Sequence, residues 1–285
     1  FVDFHNTWFL FNGSCILFKS QWVDSAKLFI VNYMTIKTAC NFKGRMLYGG
    51  FSTSDFNSAT SGWPTLWASW MVQMGIYGFT ASGAGKNWVG WSFIGQADLI
   101  QLFLSSLATG NVGSVTVGHD STKPRYLQQL MTLQNGFMPM DFQGDVICMK
   151  QLGDEVVVYG DNGISIITPY SSPVPTFGLK ENVLKIGLSD RSAVGGDIYK
   201  HWFVTDDGVL WSIEAGGKLQ RLDYSSIFTS FKNTPVSLIL DPDRKELYCQ
   251  DGSNSYLLTN EGLAYCPKLL TGGVRVDKGS GGKFH

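Results

Sequence analysis

A hairpin unit recurs along this chain at a nearly constant step, and that recurrence restricts the fold more than any other feature. Its clearest copy runs Gly153-Asp-Glu-Val-Val-Val-Tyr-Gly-Asp-Asn-Gly-Ile-Ser-Ile-Ile-Thr, and Lys200-His-Trp-Phe-Val-Thr-Asp-Asp-Gly-Val-Leu-Trp-Ser-Ile repeats it. Each copy is an apolar run of β-branched or aromatic residues, an Asp/Asn-Gly turn and a second apolar run. Such residues suit a pleated surface, and the turn pair takes positive φ at little cost, so each copy reads as a β-hairpin. The turn glycines Gly163 and Gly208 stand 45 residues apart, and Gly252, in a third copy from Lys245 to Gly262, lies 44 further on.

A fourth copy surrounds Gly13, between Asn6 and Phe18, and shorter ones occupy Gly44–Phe51 and Asn87–Gly95. Aligning first strands gives anchors near Trp8, Met46, Trp88, Val156, Trp202 and Leu247, with steps of 38, 42, 68, 46 and 45 residues. The long step implies an insertion or an additional, degraded unit. A lone hairpin cannot bury both faces of its strands, whereas a ring of four-stranded sheets can. The expectation is therefore an all-β chain, a β-propeller of about six blades (five to seven) with a short inserted helix. A large β-sandwich with evenly spaced hairpins is the alternative. One propeller domain is expected over residues 1–270, with insertions near 56–85 and 97–140, and a Gly-rich tail or closing segment over 271–285.

Other segments fit this plan. Strands are expected from Leu28 to Ala39 and from Phe142 to Leu152, with Ile227–Leu240 leading into the last hairpin. Ala97–Ala108 is apolar without a clear period. Thr168–Thr176, with three prolines, reads as a stiff connector between blades. Residues 56–85 carry no charge, which invites a membrane-spanning reading. Pro64, the glycines and the many hydroxyl and amide side chains oppose it, so no stable membrane insertion is expected. Within that stretch Trp63, Leu66, Trp67, Trp70, Met71 and Met74 share one face of a short helix, with Pro64 in its first turn and Gly75 at its exit. That face either packs on the propeller or meets a neighbour. Trp63, Trp67, Trp70, Met71 and Met74 are the candidate subunit interface, since aromatic and Met side chains concentrate at partner surfaces.

Composition bears on partners. Charged residues make up 16% of the chain against 44% hydrophobic ones, an economy of charge that leans toward an assembled state. A net charge of −1 argues against broad capture of nucleic acid, which needs a basic face. The only local basic excess is C-terminal, at Lys268, Arg275, Lys278 and Lys283. Cys15, Cys40, Cys148, Cys249 and Cys266 show no metal-type spacing, and an odd count in apolar runs reads as reduced structural thiols.

Catalytic patterns fail in turn. Gly83-Ala-Gly85-Lys86 lacks the Ser/Thr and the upstream glycine of a phosphate loop, and Trp88 stands where a dinucleotide loop needs glycine. His5 and His201 precede equivalent strands and read as a repeat position; His119-Asp120 reads as a loop. Asp206-x-Gly208-x-x-Trp211 looks like the Asp-box turn of sialidase-type propellers, a structural turn braced by its own Asp, although Val204 replaces the expected hydroxyl residue. The arginines show no cluster of the kind a sialidase needs. No catalytic residue, cofactor or metal is assigned.

Three runs carry a family resemblance: Val158–Ile164, Gly187–Asp197 and His201–Trp211. Together with Lys43–Gly50 and Trp88–Gly95, they resemble the β-propeller tail proteins of bacteriophages, the stabilisation or nozzle type that ends the tail tube. The similarity is fullest from about residue 140 to 225. It implies a non-enzymatic virion component assembled in the host cytoplasm. Such a subunit self-associates into a ring, commonly a hexamer, contacts other phage tail proteins and lines or closes a channel through which DNA passes without specific contacts. A carbohydrate-binding or glycan-cleaving propeller, sialidase-like, is the alternative. It would require convergent carboxylates and arginines at the axial mouth.

Overall fold

The computed structural model describes residues 2–4, 7–11, 15–19, 35–52, 86–92, 94, 136–171, 176–222, 224, 227, 236–250 and 254–266. Every named element among them is a strand, and the fold is all-β, of the β-propeller class. Five antiparallel sheets follow one another along the chain. The first holds Val2–Phe4 (β1), Thr7–Phe11 (β2) and Cys15–Lys19 (β3). The second holds Thr35–Phe42 (β4), Arg45–Ser52 (β5), Trp88–Trp91 (β6) and Gly136–Pro139 (β7). The third holds Val146–Leu152 (β8), Glu155–Gly160 (β9), Ile164–Tyr170 (β10) and Thr176–Leu184 (β11). The fourth holds Val194–Gly196 (β12), Lys200–Val204 (β13), Leu210–Glu214 (β14) and Lys218–Arg221 (β15). The fifth holds Ser237–Asp241 (β16), Glu246–Gln250 (β17), Ser255–Thr259 (β18) and Gly262–Cys266 (β19). In each sheet the strands lie side by side in sequence order, the up-and-down meander of a propeller blade.

The described residues fall into two compact units, one drawing on residues 1–140 and 169–178, the other on 141–168 and 179–280. In the first unit Lys43-Gly44 forms the two-residue turn between β4 and β5, with φ of 48° and 71°. Positive φ at both positions gives the turn whose twist matches a hairpin, and Lys43 accepts a conformation that favours glycine. The adjoining Phe42, Trp91 and Phe177 rings pack with centroids 5.8 Å (Phe42–Phe177) and 5.4 Å (Trp91–Phe177) apart. Arg45 lies buried among them: its guanidinium sits 5.7 Å from the Phe177 centroid and donates to the Ser92 carbonyl at 3.2 Å. Burial pulls its pKa below the ordinary arginine value.

This unit corrects several expectations. Met46 and Trp88, read as anchors of separate units, stand on neighbouring strands of one sheet, because β5 and β6 pair directly through Leu47↔Trp91 and Gly49↔Val89. Residues 53–87 therefore connect two paired strands, and so do residues 92–135, since β6 also pairs with β7. Of the strand expected over Leu28–Ala39, residues 35–39 belong to β4, which reaches Phe42, and residues 28–34 lie outside the described residues. The inserted helix, the apolar run at Ala97–Ala108 and the Gly-rich tail all lie outside the described residues.

Thr168–Thr176 does not link two blades. Strand β10 extends through Tyr170, and β11 then takes the outermost place in the same sheet. Pro169 falls in β10 past Ile167, where the register with β9 ends, so its missing N–H breaks none of those bonds, and Pro173 and Pro175 lie outside the described residues. Phe142 precedes β8 rather than opening it, and packs its ring on Gly160 and Gly163. A Cβ on Gly160 would sit 2.4 Å from that ring, and one on Gly163 would sit 2.6 Å from the Phe142 Cβ. Gly163 is thus required by close approach, and it does not adopt positive φ; Gly208, at φ 77°, does.

In the second unit the fourth sheet has neighbours on both faces. One face turns Phe203 toward Tyr159, with rings 5.4 Å apart. On the other, Leu238 of β16 lies so close to Gly195 that any Cβ there would meet the Leu238 carbonyl at 2.8 Å. The core that results joins Leu152, Val157, Tyr159, Ile166, Val194, Phe203, Leu210, Ile213, Leu238 and Leu247 into one cluster.

Candidate functional site

Among the candidate site residues, Trp63, Trp67, Trp70, Met71 and Met74 lie outside the described residues, as do His5, His119 and His285. The remaining histidine, His201, is among the described residues. His201 is inside β13, not ahead of it, and is 1% exposed. Its Nε2 lies 2.9 Å from the Gln151 carbonyl oxygen and its Nδ1 lies 2.9 Å from the Tyr159 hydroxyl. A carbonyl only accepts, so Nε2 carries the proton; Nδ1 then accepts from the Tyr159 hydroxyl, and the imidazole is neutral. Burial, aided by the nearby positive charge of Lys150, pulls its pKa down to about 3, while burial pushes the Tyr159 phenol up. Tyr159, His201 and the Gln151 carbonyl thus bind one another inside the core, between the third and fourth sheets. His201 is sealed from solvent.

Sequence reading missed this pair, although a signal existed. Tyr159 and His201 are 42 residues apart, close to one repeat step. A second tie has a similar spacing: Ser192 Oγ donates to the Val236 carbonyl 44 residues on, and Leu238 N donates to the Ser192 carbonyl at 2.9 Å. Groups about one period apart meet in both ties, side chain to side chain in the first and through the backbone in the second.

Acidic turns gather at one end of this unit. Leu188 N donates to the Gly160 carbonyl at 2.8 Å, and Asp206 N to the Gly187 carbonyl at 3.1 Å. These bonds bring the turn after β9, the segment after β11 and the turn after β13 together. Asp161, Asp206 and Asp207 stand there. Partial burial, followed by the charges of Asp161 and Asp207, holds the Asp206 carboxyl above its ordinary value. The Asp-box reading needs a correction of one residue. The turn is braced by Asp207, which accepts from Thr205 Oγ1, while Thr205 N bonds the Val209 carbonyl at 3.0 Å. Thr205 supplies the hydroxyl that Val204 lacks. Asn162 braces the neighbouring turn by accepting from Gly144 N at 2.9 Å.

At the opposite end, Ala215 N donates to the Tyr199 carbonyl at 2.9 Å, and Ile198 and Tyr199 are solvent-exposed. Nearby Lys200 bridges Glu214 at 3.0 Å, which lowers the Glu214 pKa, and stacks over Trp202 at 5.4 Å. Cys40, Cys148 and Cys249 are buried thiols outside any disulfide, and burial pushes Cys249 up to about 12. Among the described residues no group of three His, Cys, Asp or Glu side chains is placed to hold a metal ion, and no helix is long and apolar enough to cross a membrane.

No protein-family model matches the chain, and no curated protein matches it. Solved structures do. PorZ, described as an essential bacterial surface component of the type-IX secretion system of Porphyromonas gingivalis, is 11% identical, with a TM-score of 0.44 over 93% of this chain and 25% of its own length. YCF48 from Cyanidioschyzon merolae is 9% identical, with a TM-score of 0.38 over 90% of this chain and 65% of its own. Hsv2 from Kluyveromyces lactis is 12% identical, with a TM-score of 0.38 over 90% of this chain and 68% of its own. The chain thus spans a quarter of PorZ and just under two thirds of YCF48.

Proposed function

We propose that this chain is a structural subunit of a phage tail, of the nozzle or stabilisation type, which works by assembling into a ring at the DNA exit channel. One observation supports the reading above the others. Each of the three fullest runs of the family resemblance supplies a group that ties sheet to sheet. Tyr159 belongs to the first run, Ser192 to the second and His201 to the third. They spend their polar groups on Tyr159–His201–Gln151 and Ser192–Val236 instead of on an open cleft. Residues used in this way stiffen a scaffold. They suit a part that bears load and gates passage, and the chain's scarcity of charge suits burial against further subunits.

Mass photometry and negative-stain imaging of the purified full-length protein test the proposal. A closed homo-oligomeric ring, commonly of six subunits, is expected, with little retention on glycan arrays. A monomer that binds a defined glycan would overturn it in favour of the carbohydrate-binding alternative.

A further inference from the structure

We draw no further inference here: the strongest candidate, the exposed Ile198–Tyr199 turn beside the Ala215–Gly217 loop at one end of the second unit, carries nothing, because nothing in the structure shows what covers it.

Discussion

Strands β9 and β17 occupy the same second place in their sheets and bury themselves differently. In β9 every residue from Val156 to Gly160 is buried, so both faces of the strand are closed off. In β17 only Leu247 and Cys249 are buried, while Glu246, Tyr248 and Gln250 keep partial access to solvent. The register explains the second pattern. Leu238, Leu240, Leu247, Cys249, Tyr256, Leu258 and Leu263 line up across β16 to β19 on one face, and that face joins the core. The sequences already differ in this way: Val-Val-Val-Tyr in β9 is a continuous apolar run, whereas Glu-Leu-Tyr-Cys-Gln alternates. An unbroken run marks a strand covered on two sides, and alternation marks a strand covered on one.

The most forceful way to break this comparison is an aspartate scan. Asp in place of Val157 or of Val158 should abolish folding or cost several kcal/mol, because each buries an unpaired charge, and the two faces should respond alike. In β17 Cys249→Asp should behave in the same way, whereas Gln250→Asp should cost less than about 1 kcal/mol. Urea unfolding of the four variants reads this directly. Tolerance of Asp at Val158 would mean that one face of β9 is open.

Acid should act on the third and fourth sheets through His201. Its pKa of about 3 in the folded state lies below the ordinary value of 6.5, so the unfolded chain binds the extra proton between those pH values. Stability from this group is therefore complete above about pH 6.5. It declines as pH falls, by about 1.4 kcal/mol per pH unit at most, for a total of several kcal/mol by about pH 3. Urea midpoints measured at pH 7, 5.5 and 4 should show that slope in the native chain and lose it in His201→Phe. An unchanged slope in the variant would remove His201 from the account.

Thiol labelling gives a smaller effect. Cys249, buried and with its pKa pushed up to about 12, should react with a thiol reagent only at the pace of unfolding, while the partly exposed Cys266 on the outer strand should react in the native state. Peptide mapping after a short pulse separates the two. The smallest expected change is at Asp206. The folded chain disfavours its ionised form, so stability from it is present at low pH and lost once the group ionises. Asp206→Asn should then raise stability at neutral pH by a few tenths of a kcal/mol, given its exposure. A loss would instead assign that carboxylate a bracing role like that of Asp207.

How far the sequence revealed this can be judged from particular residues. The hairpins around Gly163, Gly208 and Gly252 were legible because apolar runs and turn residues act locally, and β9–β10, β13–β14 and β17–β18 pair across them. The grouping of strands into sheets was harder to see. Met46 and Trp88 looked like two units because 35 intervening residues, 53–87, interrupt one sheet, and a periodicity argument mistakes a long connection for a boundary. The three prolines of Thr168–Thr176 misled for a related reason: they suggested a boundary between blades, whereas β10 and β11 on either side share one sheet. His201 was recognised as structural from its position, yet its partner Tyr159 was not. A hydrogen bond between neighbouring sheets leaves no trace in either strand's pattern and appears only when residues one repeat apart are compared.

The Tyr159–His201 bond, between residues about one period apart, locks the third sheet to the fourth, and a double-mutant cycle of Tyr159→Phe and His201→Phe measures that lock. Each single variant should lose about 1–3 kcal/mol in urea unfolding, since each strands a buried partner. The double variant should lose clearly less than the sum, with a coupling of about 1 kcal/mol or more. Additive losses, with no coupling, would contradict the lock and with it the reading of these runs as the scaffold's ties.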